Sequence, residues 1–424
     1  MKKTILKYIA TPVICAIIGS LLLLLVSFIP QSLIQKNASA SADQLAADES
    51  VIPRYMNIWD WSYASDLHTD TLIMMGGYNL NEPSAVLLNP YRGVQEKEGY
   101  ICDSFIELVD GGAPNDTNYV RYWQGFRIFI RPMLLLFPYF QLRQVVSWVF
   151  FGLLFFMLAA LAERKGAFTA LAVGLAVILV NPAIISHSLQ YTPCFNLAFA
   201  AMIFLLYTEN LNYDRALAFC VFGILTQFFD FYTAPIAVCG LPLLVWLLID
   251  ESGCCRFKTI LKCSVSWLYG YASFWVVKLV MVSIFTDVDG LGDGIGAFLG
   301  RVGTAKNNVG EAAGKGLYTP INAFIAAWDM VTPGATGAIA LIAVMAIVAV
   351  SALIIWKKKG FKGLVADCAF LAVAALPVLW FSVASQPTVI HAYFQYRPLV
   401  VFFAGVFLFA LQAFPFADRQ YLRR

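Results

Sequence analysis

The sequence predicts an all-α membrane protein of about ten transmembrane helices, and three observations predict it. First, 60% of the 424 residues are hydrophobic and 13% charged, whereas a soluble domain carries roughly a quarter of its residues as Asp, Glu, Lys and Arg. Second, the apolar residues gather in ten runs, most of them near the roughly 20 residues that a helix needs to cross a bilayer core. Third, the basic residues collect in alternate connections between those runs, as retention of Lys and Arg on the cytoplasmic side requires.

The first run, near 9–29, follows MKK and is long enough to stay as an anchor. NASASA at 37–42 also resembles a signal-peptide cleavage region, so removal of residues 1–29 is the alternative. Either way the segment 30–141 lies outside. It begins as a polar linker and continues NIWDWSYASDLHTDTLIMMGGYNL, too rich in aromatic and charged residues for a passive tether. Its end, RYWQGFRIFIRPMLLLFPYFQLRQV at 121–145, mixes Arg121, Arg127, Arg131 and Arg143 with Trp and Phe. That composition predicts amphipathic interfacial helices, apolar face down and arginines toward headgroups, broken near Pro132 and Pro138.

The second to seventh runs, near 142–162, 167–186, 192–208, 215–229, 233–249 and 260–285, fill 142–285. Their connections ERKG at 163–166, TENLNYDR at 208–215 and CCRFK at 254–258 fall on the same side as MKK. A second outer segment, 286–336, is rich in glycine without a strong period, and reads as a flexible loop with one short surface helix. Its GLGDG lacks the spacing of a phosphate loop. The last runs, near 337–356, 363–384 and 398–414, complete 337–424, with WKKKGFK and DRQYLRR again on the basic side. Both termini are therefore expected in the cytoplasm, and the active face outside a bacterial cell (inner) membrane. The nine cysteines form no disulfide pattern, since most lie in the runs or on the basic side and Cys102 alone is clearly outside. A net charge of +3 is too slight to suggest a nucleic-acid partner.

The short outer turns carry unusual polarity. QFFDFYTAP at 227–235 supplies Asp230 and Thr233, SHSLQYTP at 186–193 supplies His187 and Gln190, and HAYFQYRP at 391–398 supplies His391, Tyr393, Tyr396 and Arg397. Lys278 lies about two turns from the outer end of its run, where an ionisable group marks a functional site by default. Asp66 and Asp70 in SDLHTDTL are four apart, which on a helix puts both carboxylates on one face for proton abstraction or a divalent cation. Each feature has a plain structural counterpart. Asp66, Asp70, Asp230 and Thr233 suit helix caps; Lys278 suits snorkelling to headgroups; Tyr393, Arg397, Trp123 and the neighbouring arginines suit interface anchors; His187 and His391 suit structural histidines.

DLHTDTLIM, RYWQGFRIFIRPMLL, HSLQYTPCF, QFFDFYTAPI and YFQYRPL together resemble the GT-C-fold membrane glycosyltransferases, and within them a bacterial, glucosyltransferase-like branch; the resemblance runs from about residue 55 to 400. It implies transfer of a sugar from a polyprenyl-phosphate donor to a glycan, lipid or protein acceptor in the cell envelope. In that superfamily an acidic residue of the first outer loop is the base, and Asp66 or Asp70 matches it, with Asp66 the base and Asp70 its partner. Lys278, Arg397, Arg121 and Arg131 match the basic residues that hold the donor phosphate, and Trp123, His187, Gln190, Asp230, Thr233, His391 and Tyr393 would line the pocket. Gln124 stands where similar sequences have RYWHG, which removes a histidine there, and the WWDYG-type motif of oligosaccharyltransferases is absent. The resemblance leaves metal dependence open, with Mg or Mn the ion that Asp66 and Asp70 would hold. A transporter or flippase of lipid-linked glycan, and a noncatalytic envelope-assembly protein, are the alternatives. The first would show internal repeats and midplane polar residues, and none is seen.

Overall fold

The computed structural model describes residues 2–47, 64–94, 100–111, 114–250, 256–301 and 318–414. The NIWDWSY stretch, Cys254 and Cys255, the glycine-rich 302–317 and the DRQYLRR tail lie outside the described residues. The described chain is helical apart from one short ribbon. α1 Lys2–Ser27 and α2 Gln31–Ala46 are separated at Pro30, whose ring cannot continue the preceding helix. Then come α3 Leu67–Tyr78, α4 Ala85–Leu88, β1 Pro90–Tyr91, α5 Ile101–Val109, β2 Thr117–Asn118 and α6 Arg127–Met133, with β1 and β2 antiparallel. With α2 these elements enclose a small core of their own, around Ile34, Met74, Phe105 and Ile130.

The bundle follows. It comprises α7 Tyr139–Lys165, α8 Ala167–Leu179, α9 Pro182–Ser186, α10 Thr192–Tyr207, α11 Arg215–Phe229, α12 Pro235–Ile249 and α13 Arg256–Phe285. After it come α14 Gly290–Arg301, α15 Pro320–Asp329, α16 Ala335–Ala374, α17 Leu376–Val383, α18 Ser385–Ile390, α19 Ala392–Gln395 and α20 Leu399–Leu411. Every one of the ten apolar runs coincides with helix. Five stretches are long and apolar enough to cross a membrane: Leu6–Ser27, Tyr139–Lys165, Arg256–Phe285, Ala335–Val383 and Ala392–Leu411. Four further apolar helices, α8, α10, α11 and α12, are shorter. α12 is buried on all sides from Pro235 to Leu248, as an all-round apolar helix must be, and forms the hub. α7, α13 and α16 turn Trp148, Phe155, Ile284 and Ile342 outward instead.

Small residues set the tightest crossing. A Cβ on Gly223 of α11 would stand 2.1 Å from the Trp267 carbonyl oxygen, and one on Gly270 of α13 2.0 Å from that of Cys220, so the two backbones touch as small-residue membrane helices do. The bundle has two chemically different ends. At one, Arg164 and Lys165 pair with Glu209 (3.4 and 2.8 Å), and Arg256 and Lys359 with Asp367 (3.2 and 2.8 Å). At the other, the turns after α9, after α11 and before α20 meet: Thr233 Oγ1 donates to the Gln190 carbonyl (3.4 Å), Gln395 Nε2 to that of Tyr232 (2.6 Å) and the Tyr396 hydroxyl to that of Val180 (3.2 Å).

Three local expectations change. NASASA lies inside α2 with Ala38, Ser41 and Ala42 buried, so this stretch is helix and not a polar linker. Residues 127–133 form the short α6, and Arg127 and Arg131 point into the protein and not toward headgroups. Their guanidinium groups close the C-terminus of α3: Arg127 Nε donates to the Gly76 carbonyl (2.9 Å), Arg131 Nη1 to those of Gly77 and Tyr78 (both 2.9 Å). Four carbonyls at a helix end lack intrahelical donors, and a cation there satisfies them. Of the glycine-rich outer segment, 290–301 is helix α14 and 320–329 helix α15. Cys102 is buried against the Thr71 hydroxyl at 3.3 Å and packs as a small core residue.

Candidate functional site

Where the three turns meet α3, a cavity of about 850 Å³ opens. Asp66 sits at its wall because SDLHT starts a helix. Asp66 is the N-cap of α3, its Oδ1 accepting from the Thr69 N–H (3.0 Å) and its Oδ2 from the Thr69 hydroxyl (2.8 Å). From the opposite side the Tyr393 hydroxyl reaches the same Oδ2 at 3.4 Å. The carboxylate is thus 3% exposed yet lines the cavity.

Asp70, one turn on, does different work. Its Oδ2 accepts from the Tyr139 hydroxyl (2.8 Å) and the Leu189 N–H (3.3 Å), its Oδ1 from the Gln190 N–H (3.1 Å) and the Ser188 hydroxyl (3.3 Å). Burial pushes its pKa up to about 6, while Tyr139 and then Arg143 hold it down. Asp70 therefore latches α3 onto the turn that carries Gln190, and with four donors filling its oxygens it offers no pair with Asp66 for a cation. Among the described residues no group of three His, Cys, Asp or Glu side chains stands close enough to hold a metal ion.

The remaining walls are aromatic. Tyr119, Tyr122 and Phe231 pack together with ring centroids 5.2 and 5.4 Å apart along the series Tyr119–Tyr122–Phe231. Tyr232 completes this side with a left-handed backbone, φ 63°, held by Gln395 and by its ring's packing on Trp380 at 4.9 Å. A bulky residue in that region is strained unless its surroundings fix it. Opposite stands Tyr393, with His391 stacked on Phe394 at 5.4 Å. Burial lowers the pKa of His391, the Asp66 charge works against that shift and His68 with it, so His391 is neutral at pH 7.

Of the residues singled out in the sequence, the structure brings Asp66, Gln190, His391 and Tyr393 to the cavity wall, with Asp70, Thr233 and Asp230 directly behind it. Asp230 caps the turn, both its oxygens 3.1 Å from the Thr233 N–H, and burial raises its pKa to about 6. Arg397 is fully buried beside the site. Its Nη1 donates to the Tyr393 carbonyl (3.0 Å) and its guanidinium lies 3.8 Å from the Tyr191 ring centroid, while its Nε and Nη2 meet no described hydrogen-bond acceptor.

The others lie elsewhere. Lys278 donates to the Val86 and Leu87 carbonyls (3.1 and 2.7 Å) at the end of α4, so the cation expected to bind phosphate is a helix cap. Trp123 is stacked on Phe274 at 4.6 Å and donates to its carbonyl. Arg131 closes α3, Arg121 pairs with Asp293 at 3.3 Å, and His187 bonds the Ala183 carbonyl of its own short helix at 2.9 Å. Tyr119, Tyr122 and Gln395 went unnoticed in the sequence. Only QFFDFYTAP signalled Phe231 and Tyr232, through aromatic residues at a turn too short to bury them locally. Comparison with family models, with curated proteins and with solved structures finds no match to this chain.

Proposed function

We propose that the protein is an inverting membrane glycosyltransferase that moves a sugar from a polyprenyl-phosphate donor to a glycan, lipid or protein acceptor of the cell envelope, with Asp66 as general base. The observation that carries this reading is the setting of Asp66. It is a single carboxylate, fixed by a helix N-terminus and a tyrosine hydroxyl, facing an aromatic-walled cavity of about 850 Å³. That volume falls within the roughly 300–1,000 Å³ of small-molecule sites. Aromatic faces suit the C–H face of a sugar ring, while Gln190, His391 and Tyr393 offer its hydroxyls hydrogen bonds.

In the reaction an acceptor hydroxyl gives its proton to Asp66 while its oxygen bonds the anomeric carbon. The bond from that carbon to the donor phosphate breaks, and its electron pair leaves on the phosphate. Arg397, with two nitrogens to spare next to the cavity, is the cation best placed to stabilise that charge. Lys278, Arg131 and Arg121 are committed to protein partners. Ten spans with both termini cytoplasmic accord with a bundle whose basic clusters gather at one end and whose cavity lies at the other; the cavity then faces the outside of a bacterial cell (inner) membrane.

The test is the surface glycan of a strain lacking the protein, complemented with wild type or Asp66→Asn. The deletion is expected to lose one sugar residue. The variant should reach the membrane in normal amount yet transfer on the order of 100-fold more slowly or worse. Full restoration by Asp66→Asn would remove the base assignment. Loss of the whole glycan with lipid-linked intermediates retained inside would replace transfer by transport.

A further inference from the structure

α14 is a helix where glycine content argues against one, and its faces divide cleanly. Gly290 and Gly294 lie against Leu279 and Val282 of α13, where a Cβ on Gly294 would come within 2.3 Å of Leu279 Cδ1. The helix therefore folds back alongside the last two turns of a membrane-length helix and does not project away from it. It is fastened there: Asp289 caps it through the Gly292 N–H (2.8 Å), Ser283 Oγ accepts from the Leu291 N–H (3.2 Å), and Asp293 pairs with Arg121. Leu291, Ile295, Phe298 and Leu299, at i, i+4, i+7 and i+8, make one stripe about 100° wide. All four are exposed, Ile295 by 54%.

That stripe continues the outward face of α13, where Ile284 and Phe285 are 67% and 70% exposed just before the turn into α14. A folded-back helix at this depth, with an apolar stripe in line with an already membrane-facing one, has the arrangement of an interfacial helix. We infer that α14 is seated in the headgroup–acyl boundary of the bilayer on the cavity side, its Leu291–Ile295–Phe298 stripe in contact with lipid. Since α14 also touches α18, which supplies Pro387, Val389 and Ile390 to the cavity wall, this seat fixes the wall relative to the membrane surface. The inference does not depend on sugar transfer.

The experiment places single nitroxide labels at 284, 291, 292, 295, 296 and 298, in a background with the native cysteines replaced. The protein is reconstituted in phosphatidylethanolamine–phosphatidylglycerol vesicles, and collisions with oxygen and with a water-soluble nickel chelate are compared. Labels at 291, 295 and 298 should favour oxygen as 284 does, and labels at 292 and 296 should favour the chelate by several-fold, giving a helical period. Preference for the chelate at 291, 295 and 298 while 284 remains in lipid would overturn the seat. So would exclusion of both reagents there, which would mean that a protein surface covers the stripe.

Discussion

At the scale of single residues the two aspartates of SDLHTDTL show what spacing can and cannot say. Four apart, they lie on one side of a helix start, but Asp66 precedes the helix as its cap and faces the cavity, whereas Asp70 is one turn in and faces the Ser188–Gln190 turn. The sequence presents two equivalent carboxylates; capping geometry makes them unequal. Asp230 answers to the same logic, because QFFDFYTAP needs a cap for its turn and uses the next two residues, Phe231 and Tyr232, as cavity wall. Tyr232 carries the testable strain. At φ 63° a residue with a Cβ is disfavoured by roughly 1–2 kcal/mol, and glycine is not. Tyr232→Gly and Tyr232→Ala both remove the ring, so they differ chiefly in backbone preference. Thermal unfolding in detergent should rank the glycine variant above the alanine variant by about 1 kcal/mol, against the usual order. If alanine is the more stable, the turn relaxes freely and the strain is not real.

At the scale of elements, the long apolar runs were legible because length and hydropathy are dictated by the bilayer and nothing else in the chain imitates them. The connecting helices were not. An arginine that closes a buried helix end and one that snorkels to a headgroup occupy the same kind of sequence, and RYWQGFRIFIRP turned out to contain the first kind. α14 was hidden for the opposite reason: glycine weakens a helix by about 1 kcal/mol per residue, so GLGDGIG reads as loop until α13 supplies a surface that only glycine can approach. The same close approach at the α11–α13 crossing predicts an asymmetry among glycines. Gly270→Ala sets a methyl 2.0 Å from the Cys220 oxygen and should cost about 1–3 kcal/mol. Gly152→Ala in α7, with nothing within 4 Å, should be neutral or slightly stabilising. Equal melting temperatures for the two variants would mean that the crossing is looser than described.

At the scale of the whole molecule, the segment between α2 and α7 and the bundle are one unit, because buried polar groups of each are satisfied by the other. Trp123 donates to the Phe274 carbonyl, the Gly125 N–H to that of Phe228 (2.8 Å), the Leu189 and Gln190 N–H groups to Asp70, and Lys278 to the last carbonyls of α4. Lys278 separates a structural account of these links from a substrate-binding one. As a phosphate ligand, its replacement would weaken donor binding and leave stability alone. As the donor that closes α4, its replacement by a similarly long apolar chain leaves the Val86 and Leu87 carbonyls without a partner in the interior. An unmet buried acceptor costs about 1–3 kcal/mol. Lys278→Met should therefore lower the unfolding midpoint in detergent and open the segment between α3 and α6 to protease before the bundle is cut. Asp66→Asn, which removes charge at the cavity wall and keeps its acceptor oxygen, should leave both readouts near wild type. A Lys278→Met protein as stable and protease-resistant as wild type would show that α4 holds its place without the lysine, and would return that buried cation to the search for a ligand.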